Sequence, residues 1–158
     1  GSLLRAYEMV GYQPDRDYRY IEINRKLREA HPQIVAGVIA GIENAGGSAI
    51  QDPRTELLTV NGEFTVSVVL SRCFETAAGS LRWRIRLDTG LLPDITIAIR
   101  MDELNAAPRD YYVLPSIDMT ADRLRLAEQN GLSLDAYRFD TLDFFFSMAG
   151  RARFSEVA

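Results

Sequence analysis

The chain has 158 residues, 47% hydrophobic and 25% charged, with a formal net charge of −4. That balance supports one domain with a buried core and excludes a disordered, highly charged tail. No run approaches ~18 apolar residues, which leaves no candidate membrane span, and bulk charge gives no sign of nucleic-acid binding, which would need a local basic patch.

Cys73 is the only cysteine, so no internal disulfide can form, and a reducing, cytoplasmic compartment is expected. Gly1-Ser2 reads as a scar of tag cleavage, with no signal peptide behind it. The expectation is a single domain, 1–158, excised from a longer protein. Lys26 is the only lysine among 18 basic residues. GC-rich coding gives such a bias, and so does a need for planar guanidinium forks against phosphate or carboxylate.

The predicted elements begin with an apolar helix, Leu3–Val10, and a turn, Gly11-Tyr12-Gln13-Pro14. A second helix, capped by Asp15 or Asp17, runs to about Ala30 with Tyr20, Ile23 and Leu27 inward. His31-Pro32 reads as a break. A helix restarts there on the stripe Ile34, Val35, Val38, Ile39 and Ile42, and ends at Gly46-Gly47. Strands follow at Ser48–Gln51, Glu56–Val60 and Glu63–Arg72. The last two flank Asn61-Gly62, a dipeptide suited to the positive φ angles of a type I′ hairpin. Leu81–Asp88, Asp94–Met101 and Tyr111–Leu114 are further strands. Thr120 caps a helix through Gln129, and Asp140 or Thr141 opens a last one. Helices, then a meander, then helices define an α+β class: a central, largely antiparallel (mixed) sheet, an N-terminal helical layer and C-terminal helices.

Side chains alternate across a strand. One face therefore collects Phe64, Val66, Val68, Leu70, Trp83, Ile85, Leu87, Ile95, Ile97, Ile99 and Met101, to be covered by the helix from Pro32. The other collects Thr65, Ser67, Ser71, Thr96 and the arginines Arg82, Arg84, Arg86 and Arg100, with Arg72 at the end of its strand. Buried charges need partners. Two readings are open. In one, Asp94, Glu63, Glu75 and Asp88 pair with these arginines across strands. In the other, Arg72, Arg82, Arg84, Arg86 and Arg100 form a surface that tracks phosphates.

Residues for catalysis are scarce. His31, the only histidine, sits at an expected helix start, and Cys73 at a strand end, so neither a zinc site nor a nucleophile–base pair is indicated. No phosphate-cradling glycine loop is present. Asp88, Asp94, Asp102, Glu103, Asp110 and Asp118 are ordinary loop and strand-end acids. No catalytic residue, metal ligand or cofactor is assigned.

The order helix, strand, hairpin, further strands, helix resembles the restriction-endonuclease-like, PD-(D/E)XK-like core, on the segment Asp52-Pro53-Arg54-Thr55-Glu56-Leu57-Leu58 followed by Thr65–Arg72. That resemblance implies a metal-binding acid at one strand and an acid-x-Lys pair across the hairpin. Glu56 stands where the first acid would be, but Thr65–Arg72 holds neither carboxylate nor lysine, so the copy looks degenerate. Gly79–Trp83 and Asp110–Pro115 are loosely similar to accessory domains of DNA-recombination or mobile-element proteins.

The leading expectation is a non-catalytic, DNA-associated module that contacts phosphates or a protein partner through the arginine-rich face. The first alternative is an interaction or dimerisation domain. Phe144, Phe145 and Phe146 stand ~100° apart on a helix, so they cannot share one core and one should meet solvent or a partner. The second alternative is a metal-dependent nuclease with a displaced centre at Glu56, Glu63 or Asp94.

Overall fold

A computed structural model describes residues 14–87, 91–119 and 121–157, with side chains over 20–87, 91–119 and 121–150. The expected helix Leu3–Val10, residues 11–13 of the first turn, Asp88, Gly90 and the Thr120 cap lie outside the described residues.

Helix α1 spans Pro14–Asn44 with Pro32 inside it, so the break expected at His31-Pro32 does not occur. Proline removes one rung of the helical ladder. Packing carries the helix past it: Leu27 on one side and Val35, Val38 and Ile42 on the other are buried in the same core. His31 adds a tether, its Nε2 lying 2.9 Å from the Val68 carbonyl. The helix ends where expected. Gly46 takes φ 98° and the Gly47 N–H returns to the Ile42 carbonyl at 2.9 Å.

Strands β1 (Ala49–Gln51), β2 (Leu58–Val60) and β3 (Phe64–Ser71) form an antiparallel meander. Asn61 and Gly62 have φ of 56° and 68°, both positive as the hairpin requires. The chain continues through β4 (Cys73–Glu75), β5 (Leu81–Arg86), β6 (Ile95–Met101) and β7 (Pro108–Pro115). A 3-10 turn at Ser116–Asp118 precedes β8 (Arg123–Leu126), the short helix α2 (Leu132–Asp135), β9 (Arg138–Phe139) and α3 (Asp143–Val157).

These strands make two sheets where one was expected. The larger has the order β1-β2-β3-β6-β7-β9 and the smaller β4-β5-β8. Only β3 and β6 run parallel among the described pairs. The helix expected over Thr120–Gln129 is instead strand β8. Its sequence Arg-Leu-Arg-Leu alternates with period two, and pairing sets Leu124 opposite Ile85 and Leu126 opposite Trp83.

One face of the large sheet behaves as expected for β3 and β6, but Trp83, Ile85 and Leu87, expected beside them under the helix, belong to a different core. Val66, Val68, Ile97, Ile99 and Met101 are buried beneath Leu27, Val35, Val38 and Ile42 of α1 and Phe145 and Ala149 of α3. Gly41 makes that helix pair possible, because a Cβ there would collide with the Phe146 ring. The other face is not the solvent-facing polar surface that was expected. Ser71, Thr96, Ala98 and Arg100 are buried. The small sheet lies on this side: Trp83, Ile85 and Leu126 form a second core with Ala98, Tyr112 and Leu114. The fold is α+β, layered as helices, large sheet and small sheet.

Candidate nucleic-acid interface

The small sheet has an inner and an outer face, fixed by alternation. Cys73, Trp83, Ile85, Leu124 and Leu126 belong to the inner core. The alternate positions on the same strands are Phe74, Arg82, Arg84, Arg86, Arg123 and Arg125. Arg84, Arg86, Arg123 and Arg125 are exposed, while Phe74 and Arg82 are partly buried. Every outward position on these strands is thus an arginine except Phe74, and none is acidic.

Pairing brings the charges together. Arg84 stands opposite Arg125 and Arg86 opposite Arg123. Along a strand the arginines recur every ~6.5–7 Å, and neighbouring strands lie ~4.8 Å apart. Like charges directly opposite destabilise a sheet. Of the carboxylates expected to relieve them, Asp94 is engaged elsewhere: it accepts from the Thr65 N–H at 2.9 Å and the Thr65 hydroxyl at 3.3 Å. The ion pairs among the described residues are Arg25–Glu22, Arg100–Asp110, Arg109–Glu128, Arg138–Asp110 and Arg138–Asp140. None involves the outer face. An ordered neighbour of its guanidiniums is the Phe74 ring, with Arg84 4.7 Å and Arg125 6.0 Å from its centroid.

Arg100 and Arg72 do not join this face. Arg100 is only 1% exposed. Its Nε and Nη2 fork the Asp110 carboxylate at 2.7 and 2.6 Å, and its Nη1 donates to the Ala127 carbonyl at 2.6 Å. Trp83 lies 4.5 Å from its guanidinium. It pins the exit of β8 to β6 and β7 and presents no charge to a phosphate. Arg72 stacks on Tyr20 of α1, 3.3 Å from the ring centroid, and donates to the Tyr20 hydroxyl.

A cleft of about 890 Å³ borders the face, lined by Arg82, Arg109 and Arg138 but also by Glu128, Asp135 and Asp140. Its charge is mixed. Beside it the Tyr112 hydroxyl donates to Asp135 Oδ1 at 2.5 Å and accepts from Asn130 Nδ2 at 2.9 Å. Burial, reinforced by the bond to Asp135, pushes the Tyr112 hydroxyl up to about 12. The Asn130 N–H and the Tyr112 hydroxyl hold Asp135 below the usual carboxylate range.

The remaining candidates scatter. His31 tethers α1 to β3, as described above. Cys73 is buried, and desolvation pushes its thiol up, away from the reactive thiolate. Among the described residues no three His, Cys, Asp or Glu side chains gather as a cation site, so Glu56, Glu63 and Asp94 do not converge. In the aromatic run, Phe145 is 1% exposed and Phe144 59%. Phe144 stacks on Phe139 with centroids 5.2 Å apart. No described helix is long and apolar enough to cross a membrane.

Sequence reasoning misses Arg123, Arg125 and Phe74. The signal for the first two is present, since Arg-Leu-Arg-Leu fits a half-buried strand better than a helix. Phe74 follows Arg72-Cys73, where β3 gives way to β4 with a change of sheet that local pattern does not reveal.

No family model matches the chain, and no curated protein matches it. A solved structure described as a bacterial homing endonuclease, I-Ssp6803I, is similar at a TM-score of 0.44 and 17% identity, over 77% of this chain and 90% of that one. A likeness this loose carries neither fold family nor activity to this chain.

Proposed function

We propose that this chain is a non-catalytic, DNA-associated module that holds the phosphate backbone of nucleic acid against the outer face of its small sheet. One observation carries the reading: five arginines stand on that face, four of them in directly opposed pairs, with no carboxylate at the outward positions of the described strands β4, β5 and β8. Guanidinium groups bind phosphate oxygens through two parallel N–H donors. Rows of them offer several such forks at once to a ligand that carries one charge per ~3.4 Å of axis per strand. The resemblance of the sequence to a restriction-endonuclease-like core supports the same reading. A core whose strand β3 lacks the acid-x-Lys pair suits holding DNA rather than cutting it.

Fluorescence anisotropy with labelled DNA at low salt tests the proposal. Wild-type protein is expected to bind, and both the Arg82→Ala/Arg84→Ala/Arg86→Ala and the Arg123→Ala/Arg125→Ala variants are expected to bind far more weakly. Absence of wild-type binding at low salt sinks it.

A second reading has its own observation. Phe144, 59% exposed and stacked on Phe139, is a large apolar group on the same helix as the exposed Met148. It suits contact with a second copy or another protein through α3. Sedimentation at rising concentration tests self-association, with Phe144→Ser expected to abolish it and a strictly monomeric wild type counting against it.

A further inference from the structure

Phe74 is the one outward position of the small sheet that carries no charge. Opposite it in register is Arg82, and two residues along the same neighbouring strand is Arg84. The Arg84 guanidinium lies 4.7 Å from its ring centroid and the Arg125 guanidinium, reaching across β5, lies 6.0 Å from it. Phe74 as a whole is only partly buried, with those two guanidiniums standing over its ring. The inner core of this sheet is already supplied by Trp83, Ile85 and Leu126 without it. A single aromatic ring therefore sits among guanidiniums, with no apolar side chain at the other outward positions of these strands.

We propose that Phe74 is a base-stacking platform, and that the preferred ligand of the arginine face is a single strand rather than a duplex. The inference rests on the phosphate-binding reading above and adds the form of the nucleic acid. In a duplex each base has its π-face covered by its neighbours and offers only an edge in a groove. A short phenylalanine on a strand surface does not reach the floor of a major groove ~8.5 Å deep while flanking arginines hold the phosphates. An unstacked base of a single strand can lie on the ring, with its own phosphates on the arginines at either side. Aromatic platforms inside basic tracks are the usual physical means of holding single strands without reading sequence, and neighbouring guanidiniums add cation–π attraction to the stack.

The test uses labelled oligo-dT and a duplex of equal length at matched salt, with wild type, Phe74→Ala, Phe74→Leu and Phe74→Trp proteins. Phe74→Leu keeps an apolar group and the strand, and unfolding curves confirm that each variant is folded. The expected result is tighter binding of the single strand by wild type, and a loss of about tenfold or more for Ala and Leu on the single strand. Duplex binding should change little. Trp83, the only natural tryptophan, is fully buried. Fluorescence that is quenched by oligo-dT in Phe74→Trp but not in wild type therefore reports stacking at position 74. Equal binding of both DNA forms, unchanged by the Phe74 variants and with no quenching, overturns the stacking inference and leaves the arginine reading standing. Absence of all binding overturns both.

Discussion

Arg84 and Arg125 face each other across β5 and β8, and Arg86 faces Arg123 in the same way. Such pairs cost stability, and proteins keep locally unfavourable choices mainly where a site needs them. Replacing Arg125 with glutamate should therefore stabilise the fold by about 0.2–1 kcal/mol while weakening DNA binding. Urea unfolding measures the first effect, which should shrink at high salt as the charges are screened. Tyr112 supplies a contrasting prediction. Its folded pKa lies above the unfolded value of 10.0, at about 12. The contribution is thus fully present below pH 10 and is lost as pH rises through the folded value. Stability measured by urea unfolding should fall across that alkaline window. Tyr112→Phe should flatten the fall and cost about 1–3 kcal/mol at neutral pH, because Asn130 Nδ2 and Asp135 lose a partner.

At the level of elements, α1 and the β2–β3 hairpin show what sequence does and does not reveal. The hairpin is legible because Asn61-Gly62 is a local signal, and both residues take the positive φ it demands. The tertiary role of Asn61 is not. Its Oδ1 accepts the Ser48 N–H and its Nδ2 donates to the Ala149 carbonyl, joining the hairpin to β1 and α3. Asn61→Ala is expected to cost about 1–3 kcal/mol by leaving these half-buried groups unpaired and straining the turn, which thermal unfolding would show. Pro32 misleads for the opposite reason. A helix breaker is a local signal, and long-range packing of Leu27 and Val35 on one core outweighs it. For β8 the Thr120 cap suggests a helix, whereas the edge of β5 selects a strand. Arg82, Arg84 and Arg86 are legible as a row because β5 alternates strictly. Arg100 falls into the same row by pattern because alternation fixes a face but cannot say which layer will cover it.

Across the described part of the molecule, one surface is uniformly basic. A chain of net charge −4 gathers five arginines on the outside of one small sheet. Helices α1 and α3 close the opposite side of the large sheet, and the small sheet closes the near side. The basic face is therefore mounted on a two-core platform, with Arg100–Asp110 fixing β8 to the large sheet from within. Oriented attraction to an anionic ligand needs such local concentration, not net charge. Each arginine that neutralises a phosphate releases counterions, and that release can be counted. The most direct test is the slope of log affinity against log salt for DNA binding, measured for wild type and for Arg84→Ala/Arg125→Ala. The expected result is a steep wild-type slope that becomes shallower by roughly 1.4–1.8 in the variant, at ~0.7–0.9 for each phosphate left without its arginine. Identical slopes and affinities in the two proteins would contradict the account and leave the arginine face without a nucleic-acid role.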